Sequence, residues 1–74
     1  MEQTILTIIN SIRVAQKLAP VTELHATDNL REDLELTSFD LAELTVRIED
    51  KYGVDIFEDG LVNTIGEIYS KLLQ

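Results

Sequence analysis

LELTSFDLAELTVRIEDKYG, residues 34–53, is the stretch on which the fold turns. Leu41, Leu44, Ile48 and Tyr52 recur at i, i+3, i+7 and i+11, the period of one helix face, and predict a helix over residues 38–52. Thr37 or Ser38 marks its start, with Asp40 three residues after Thr37 in the arrangement of a capping box. Gly53 marks its end, because glycine adopts the left-handed conformation of a helix C-terminus without a Cβ penalty. The polar face carries Asp40, Glu43, Arg47, Glu49 and Asp50.

Upstream of this helix, residues 19–36 hold no sustained period. Pro20, Thr22, Thr27, Asp28, Asn29 and Asp33 alternate irregularly with Val21, Leu24, Leu30, Leu34 and Leu36. The pattern predicts a long loop pinned to the core by its leucines, with Asp28 capping a short turn. Loops of this length are uncommon in compact domains unless they carry function. Before the loop, Ile5, Ile8, Ile9, Ile12, Ala15 and Leu18 follow helical spacing, from a start signal at Thr4 to Pro20 just past the end. A first helix is expected over residues 3–18, with Arg13 and Lys17 toward its C-terminus, where the helix dipole favours cations.

Downstream, Val54 to Phe57 reads as a short apolar connector, with room for at most one helical turn around Asp59 to Val62. Thr64 caps a last helix with Glu67 at the box position, and Ile65, Ile68, Tyr69, Leu72 and Leu73 are expected to form its buried stripe. No strand-like alternation, repeat or low-complexity tract interrupts this pattern. The expected fold class is all-α: a three- to four-helix bundle with a long loop between helix one and helix two, in one domain over residues 1–74.

A chain of 74 residues buries a modest core and leaves little room for a deep enzyme cleft, which favours binding or carrying over catalysis. The chain has no cysteine, so neither disulfides nor thiolate metal sites are available. No apolar run reaches membrane-spanning length, and Met1 to Ala19 lacks the basic start of a signal peptide. Cytoplasmic localisation and a monomer are expected, without membrane insertion. Fourteen acids against six bases give a formal net charge of -8, and residues 23–60 alone hold twelve acids and three bases, Arg31, Arg47 and Lys51. Such a field repels nucleic acid and anionic lipid and speeds encounter with basic protein surfaces. It also serves simply to keep a small protein in solution.

Most candidate chemical sites dissolve on inspection. His25 is the only histidine, and with no cysteine it builds no zinc site, nor does any residue orient it for a catalytic triad. Asp55 to Gly66 places Asp59 and Gly60 at the fifth and sixth positions of a calcium loop, but Phe57 and Gly66 occupy positions that need oxygen ligands, so no metal site is expected. Paired carboxylates are plentiful, yet nothing in the pattern places a pair in a buried cleft, and a solvated acidic face explains them. Ser38 stands apart. It follows a long loop at a helix start, where free amides and the positive end of the dipole suit a phosphate group. By position alone an ordinary N-cap, at Ser38 or Thr37, is the favoured reading.

The segment from Leu34 to Leu44 resembles the region around the modified serine in the acyl carrier protein family, where a leucine and spacer precede Asp-Ser-Leu, an acid and Glu-Leu. Asn29 to Leu34 is similar to that family's loop before the serine. Ile48 to Ile56 resembles the end of its second helix, and Thr64 to Ile68 the start of its last. The resemblance covers nearly the whole chain, with four pieces in order. Two departures stand out: Thr37 replaces the acid before the serine, and Phe39 replaces leucine after it. Arg47 also interrupts the acidic face of the second helix.

This resemblance implies a stand-alone carrier rather than an enzyme, with 4'-phosphopantetheine attached to Ser38 through a phosphodiester and an acyl or aminoacyl group held on its thiol. It implies that Asp40, Glu43, Glu49 and Asp50 offer carboxylates, and Phe39 an apolar contact, to partners with basic patches: a phosphopantetheinyl transferase and enzymes that load or use the acyl group. The alternative is an acidic helical interaction module of the same fold that never receives the arm.

Overall fold

The computed structural model describes residues 1–74 and contains three α-helices and no strand: α1 Glu2–Ala15, α2 Ser38–Tyr52 and α3 Ile65–Leu72. α1 and α2 pack against each other. Ile5, Ile9 and Ile12 from α1, Leu44 and Ile48 from α2, and Ile65 and Ile68 from α3 meet in one buried cluster. Leu30, Leu34 and Leu36 from the loop and Ile56 and Val62 from the connector complete it. Each Ile or Leu side chain removed from water contributes roughly 1.5–3 kcal/mol, an upper bound because the unfolded chain already buries some of it. The loop leucines therefore hold residues 16–37 against the helices although no periodic pattern runs through them.

α1 stops three residues before its expected end. The amide of Leu18 donates to Arg13 O at 2.9 Å and that of Lys17 to Val14 O at 2.9 Å, the two bonds of a Schellman motif. Lys17 takes the left-handed conformation at φ 66°, a place usually given to glycine, so no glycine announced the stop. Ala15 is consequently exposed and Leu18 half-buried beyond the helix.

Two side chains of α1 then fasten the loop. Asn10 grips Val21 from both sides, Nδ2 donating to Val21 O at 2.9 Å and Oδ1 accepting from its amide at 2.8 Å. Arg13 is 7% exposed; its Nε donates to Ala19 O at 3.1 Å and its Nη1 to Leu34 O. Arg13 lies four residues after Ile9 on the buried stripe, so its cation goes inward and satisfies loop carbonyls. Further along, Asp28 accepts from the His25 amide at 2.8 Å and closes the short turn expected there. Asn29 starts a second turn: its Oδ1 accepts from the amides of Arg31 and Glu32, both at 2.9 Å, and its own amide donates to Asp33 at 2.7 Å.

α2 has the expected bounds, and Gly53 closes it at φ 69°. After it, a turn covers Ile56 to Asp59 rather than Asp59 to Val62, and it is not an α-helix. α3 begins at Thr64, whose Oγ1 accepts from the Glu67 amide at 3.2 Å. Its stripe buries Ile65 and Ile68 and half-buries Tyr69 and Leu72, but Leu73 lies past the helix and is 73% exposed, contrary to expectation. No helix is long and apolar enough to cross a membrane.

Candidate functional site

Residues 29–40 build the junction at which Ser38 stands. Leu34 and Leu36 are buried while Glu35 between them is exposed and left-handed, with φ 59°. That twist lets the two leucines enter the core on either side of an outward-facing acid. Thr37 then caps α2: its Oγ1 accepts from the Asp40 amide at 3.1 Å, and Asp40 Oδ2 accepts from the Thr37 amide at 2.8 Å, completing the capping box. With the box closed, Ser38 occupies the first helical position, exposed to solvent.

The first-turn amides of an α-helix have no partner inside the helix. Those of Ser38 and Phe39 find none elsewhere in the protein either. They stay open toward solvent beside the Ser38 hydroxyl. Arg31 reaches the same point from the preceding turn, its Nη1 donating to Ser38 Oγ at 3.0 Å. The junction thus gathers an exposed hydroxyl, two free amides, the positive end of a fifteen-residue helix and a guanidinium. Within a chain of net charge -8, it is a local cluster of donors with the polarity that suits an anion. The residues fit a phosphodiester on Ser38: the oxygen is accessible, and donors on two sides face the place where charge would be added.

The other residues read from the sequence fall into four groups. Phe39 is 81% exposed and shares an outward face with Ala42 and Val46, at i, i+3 and i+7. Glu49 and Asp50 are exposed on the second half of α2. Glu43 is half-buried and paired with Arg47, 2.7 Å from Oε2 to Nη2, while Arg47 also donates to Ser11 Oγ on α1 at 3.2 Å. Asp40 does not offer a carboxylate to solvent. It is 5% exposed, and its Oδ2 accepts from Gln16 Nε2 as well as from the Thr37 amide. Its place at the third helical position turns it inward beneath the cap, so the expectation of an outward-facing Asp40 is corrected.

Sequence reasoning missed Arg31 and Gln16, which come to Ser38 and Asp40 from other segments. No periodic signal marks either. Arg13 was visible in principle, since the spacing from Ile5 and Ile9 runs directly to it. Two surface depressions, of 280 and 320 Å³, lie along α1 and share no lining residue with the Ser38 junction. The Tyr69 phenol, which borders the first, is pushed above its ordinary value by burial and secondarily by the charges of Glu2 and Tyr52.

Comparison with known proteins bears on the same segment. The family model for the phosphopantetheine attachment site matches residues 6–72. Acyl carrier protein 3 of Ralstonia nicotianae is 36% identical over 67 residues, a match covering 84% of this chain and 77% of that protein. No solved structure matches the chain.

Proposed function

The chain belongs to the family of carrier proteins that bear 4'-phosphopantetheine covalently on a serine, and from that premise we propose that Ser38 is the serine and that residues 1–74 form one carrier domain. The observation that carries this reading is the Ser38 junction itself, an exposed hydroxyl ringed by donors at the open end of α2. When bound, the arm supplies a terminal thiol on which an acyl or aminoacyl group rides as a thioester. The chain's own residues do the rest. The Thr37–Asp40 box fixes the direction in which Ser38 leaves the surface, and the buried Leu34 and Leu36 hold the loop on which the box is built.

Catalysis belongs to the partners in this scheme. The proposed docking face is α2, with Phe39 and Val46 as apolar contacts and Glu49 and Asp50 as free charges for basic patches on a transferase and on acyl-loading or acyl-using enzymes. Glu43 belongs to the same face but meets a partner already paired with Arg47. Asp40 acts beneath that face by holding its N-terminus. A monomer working in the cytoplasm accords with this scheme.

The test is loading. Incubation with coenzyme A and a broad-specificity phosphopantetheinyl transferase is expected to add one arm, mapped to Ser38 by peptide mass. Ser38→Ala abolishes the mass shift while the helical circular dichroism stays. Double reversal of Glu49 and Asp50 to lysine is expected to raise the Michaelis constant for loading and leave the maximal rate nearly unchanged. An arm on Ser38→Ala protein, or two arms on the wild type, overturns the assignment. Intact mass of the protein from its own host separates the carrier from an unmodified interaction module of the same fold.

A further inference from the structure

Resting on the reading of Ser38 as the attachment point, we infer that Arg31 is a positioning residue that clamps the phosphodiester of the arm against the start of α2. The guanidinium already lies within hydrogen-bond reach of the oxygen that would carry the phosphorus, 3.0 Å from Nη1 to Ser38 Oγ. It reaches that hydroxyl although three acids, Glu32, Asp33 and Glu35, adjoin it in sequence. Two of those acids are engaged elsewhere. Asp33 accepts from the Asn29 amide at 2.7 Å, and Glu35 lies 4.0 Å from Arg13.

The backbone beneath Arg31 is held as well. Its amide donates to Asn29 Oδ1 at 2.9 Å, and the preceding Leu30 is fully buried and bonded to Asn63 O at 2.8 Å. The base of the side chain is therefore anchored, which lowers the entropy lost when its head is fixed. A neutral hydroxyl is a modest acceptor. A phosphodiester on the same oxygen adds a full negative charge on two free oxygens, matched to a planar fork of donors. The Ser38 and Phe39 amides face the same charge from the helix end. Arg31 thus holds the base of the arm, and only the portion beyond the phosphate swings.

The test compares wild type, Arg31→Ala and Arg31→Lys, each without the arm and after loading, with the arm mapped to Ser38 by mass in every sample. In the wild type at low salt, loading is expected to raise Tm by about 2–5 °C, the size suited to an exposed charge-assisted pair in so small a chain. In Arg31→Ala the rise disappears, and the phosphorus resonance of the arm narrows because its transverse relaxation slows, as a freer group's does. Arg31→Lys keeps part of the rise because it keeps the charge without the fork. About 1 M salt, with a Debye length near 3 Å, removes most of it in the wild type. Equal shifts and equal phosphorus relaxation in wild type and Arg31→Ala overturn the clamp. An arm found on another residue overturns the attachment reading instead, and the mapping step tells the two failures apart.

Discussion

α2 and α3 begin with nearly the same local chemistry, yet only one of the two starts is open. Each is capped by a threonine, Thr37 or Thr64, whose hydroxyl accepts from the amide of an acid three residues on, Asp40 or Glu67. At α3 the loop covers the end. The Ile65 amide donates to Asp28 O at 3.0 Å and the Gly66 amide to Ala26 O at 2.9 Å, while Asn29 and Thr64 form an antiparallel bridge. Gly66 permits this approach, since a Cβ there would stand 3.0 Å from Ala26 O. The first-turn donors of α3 are spent on backbone carbonyls, while those of α2 remain free beside Ser38. A capping motif therefore does not mark a functional end; what packs over it decides.

The acids invert this relation. Asp40, at the open end, is buried under the cap and also bonded to Gln16, whereas Glu67, at the covered end, is exposed. The largest effect expected from this contrast is in stability. Asp40→Ala removes the buried carboxylate that accepts from the Thr37 amide and the Gln16 side chain, breaks the capping box and costs about 2 kcal/mol, lowering Tm by about 8–15 °C. Glu67→Ala loses an exposed partner and costs about 0.5 kcal/mol, or about 2–4 °C. Thermal unfolding followed by circular dichroism checks both, and equal losses would erase the distinction between the two ends.

The next effect separates the two threonines by rate rather than stability. Aspartate caps a helix about as well as threonine, within a few tenths of a kcal/mol. At position 37 it adds a charge that a basic group on the transferase can meet, a contact of roughly 1–3 kcal/mol when desolvated. Thr37→Asp is expected to speed loading about tenfold, 1.4 kcal/mol being a factor of ten, with Tm nearly unchanged. Thr64→Asp, at the covered end, leaves the loading rate as it was. A rate unchanged or lowered by Thr37→Asp would show that the transferase reads position 37 as threonine.

The smallest effect lies in the body of α3. The raised Tyr69 phenol means that the folded state keeps its proton longer than the unfolded chain does. Its contribution to stability is fully present below the unfolded value of about 10 and is lost as pH rises through the higher folded one. Tyr69→Phe should therefore flatten the alkaline limb of the stability profile and leave it unaltered near neutrality. A limb as steep in the variant as in the wild type would mean that the alkaline loss comes from elsewhere.

Periodicity and caps were enough to place α2 from Ser38 to Tyr52, to foresee the Thr64 cap and to narrow the α2 cap to Thr37 or Ser38, because each depends on residues within one turn of one another; Ser38 stood out only through the family resemblance. The end of α1 was misplaced because Lys17 fills the left-handed position without a glycine to signal it. Leu73 was assigned to the core because spacing alone does not show where a terminal helix runs out.

The sequence by itself determined the all-helical class, the acidic surface and the serine at a helix start, since helix period, net charge and capping are local or additive properties of the chain. Only the tertiary structure decided that Asp40 faces inward, that loop backbone closes the start of α3 and not of α2, and that Arg31 arrives at Ser38. Those outcomes depend on how residues 16–37 cross between the helices. That path is set by Asn10 gripping Val21, Arg13 holding Ala19 and Leu34, and the loop leucines entering the core. Contacts between residues far apart in sequence leave no period in it, so they become visible only once the chain has packed.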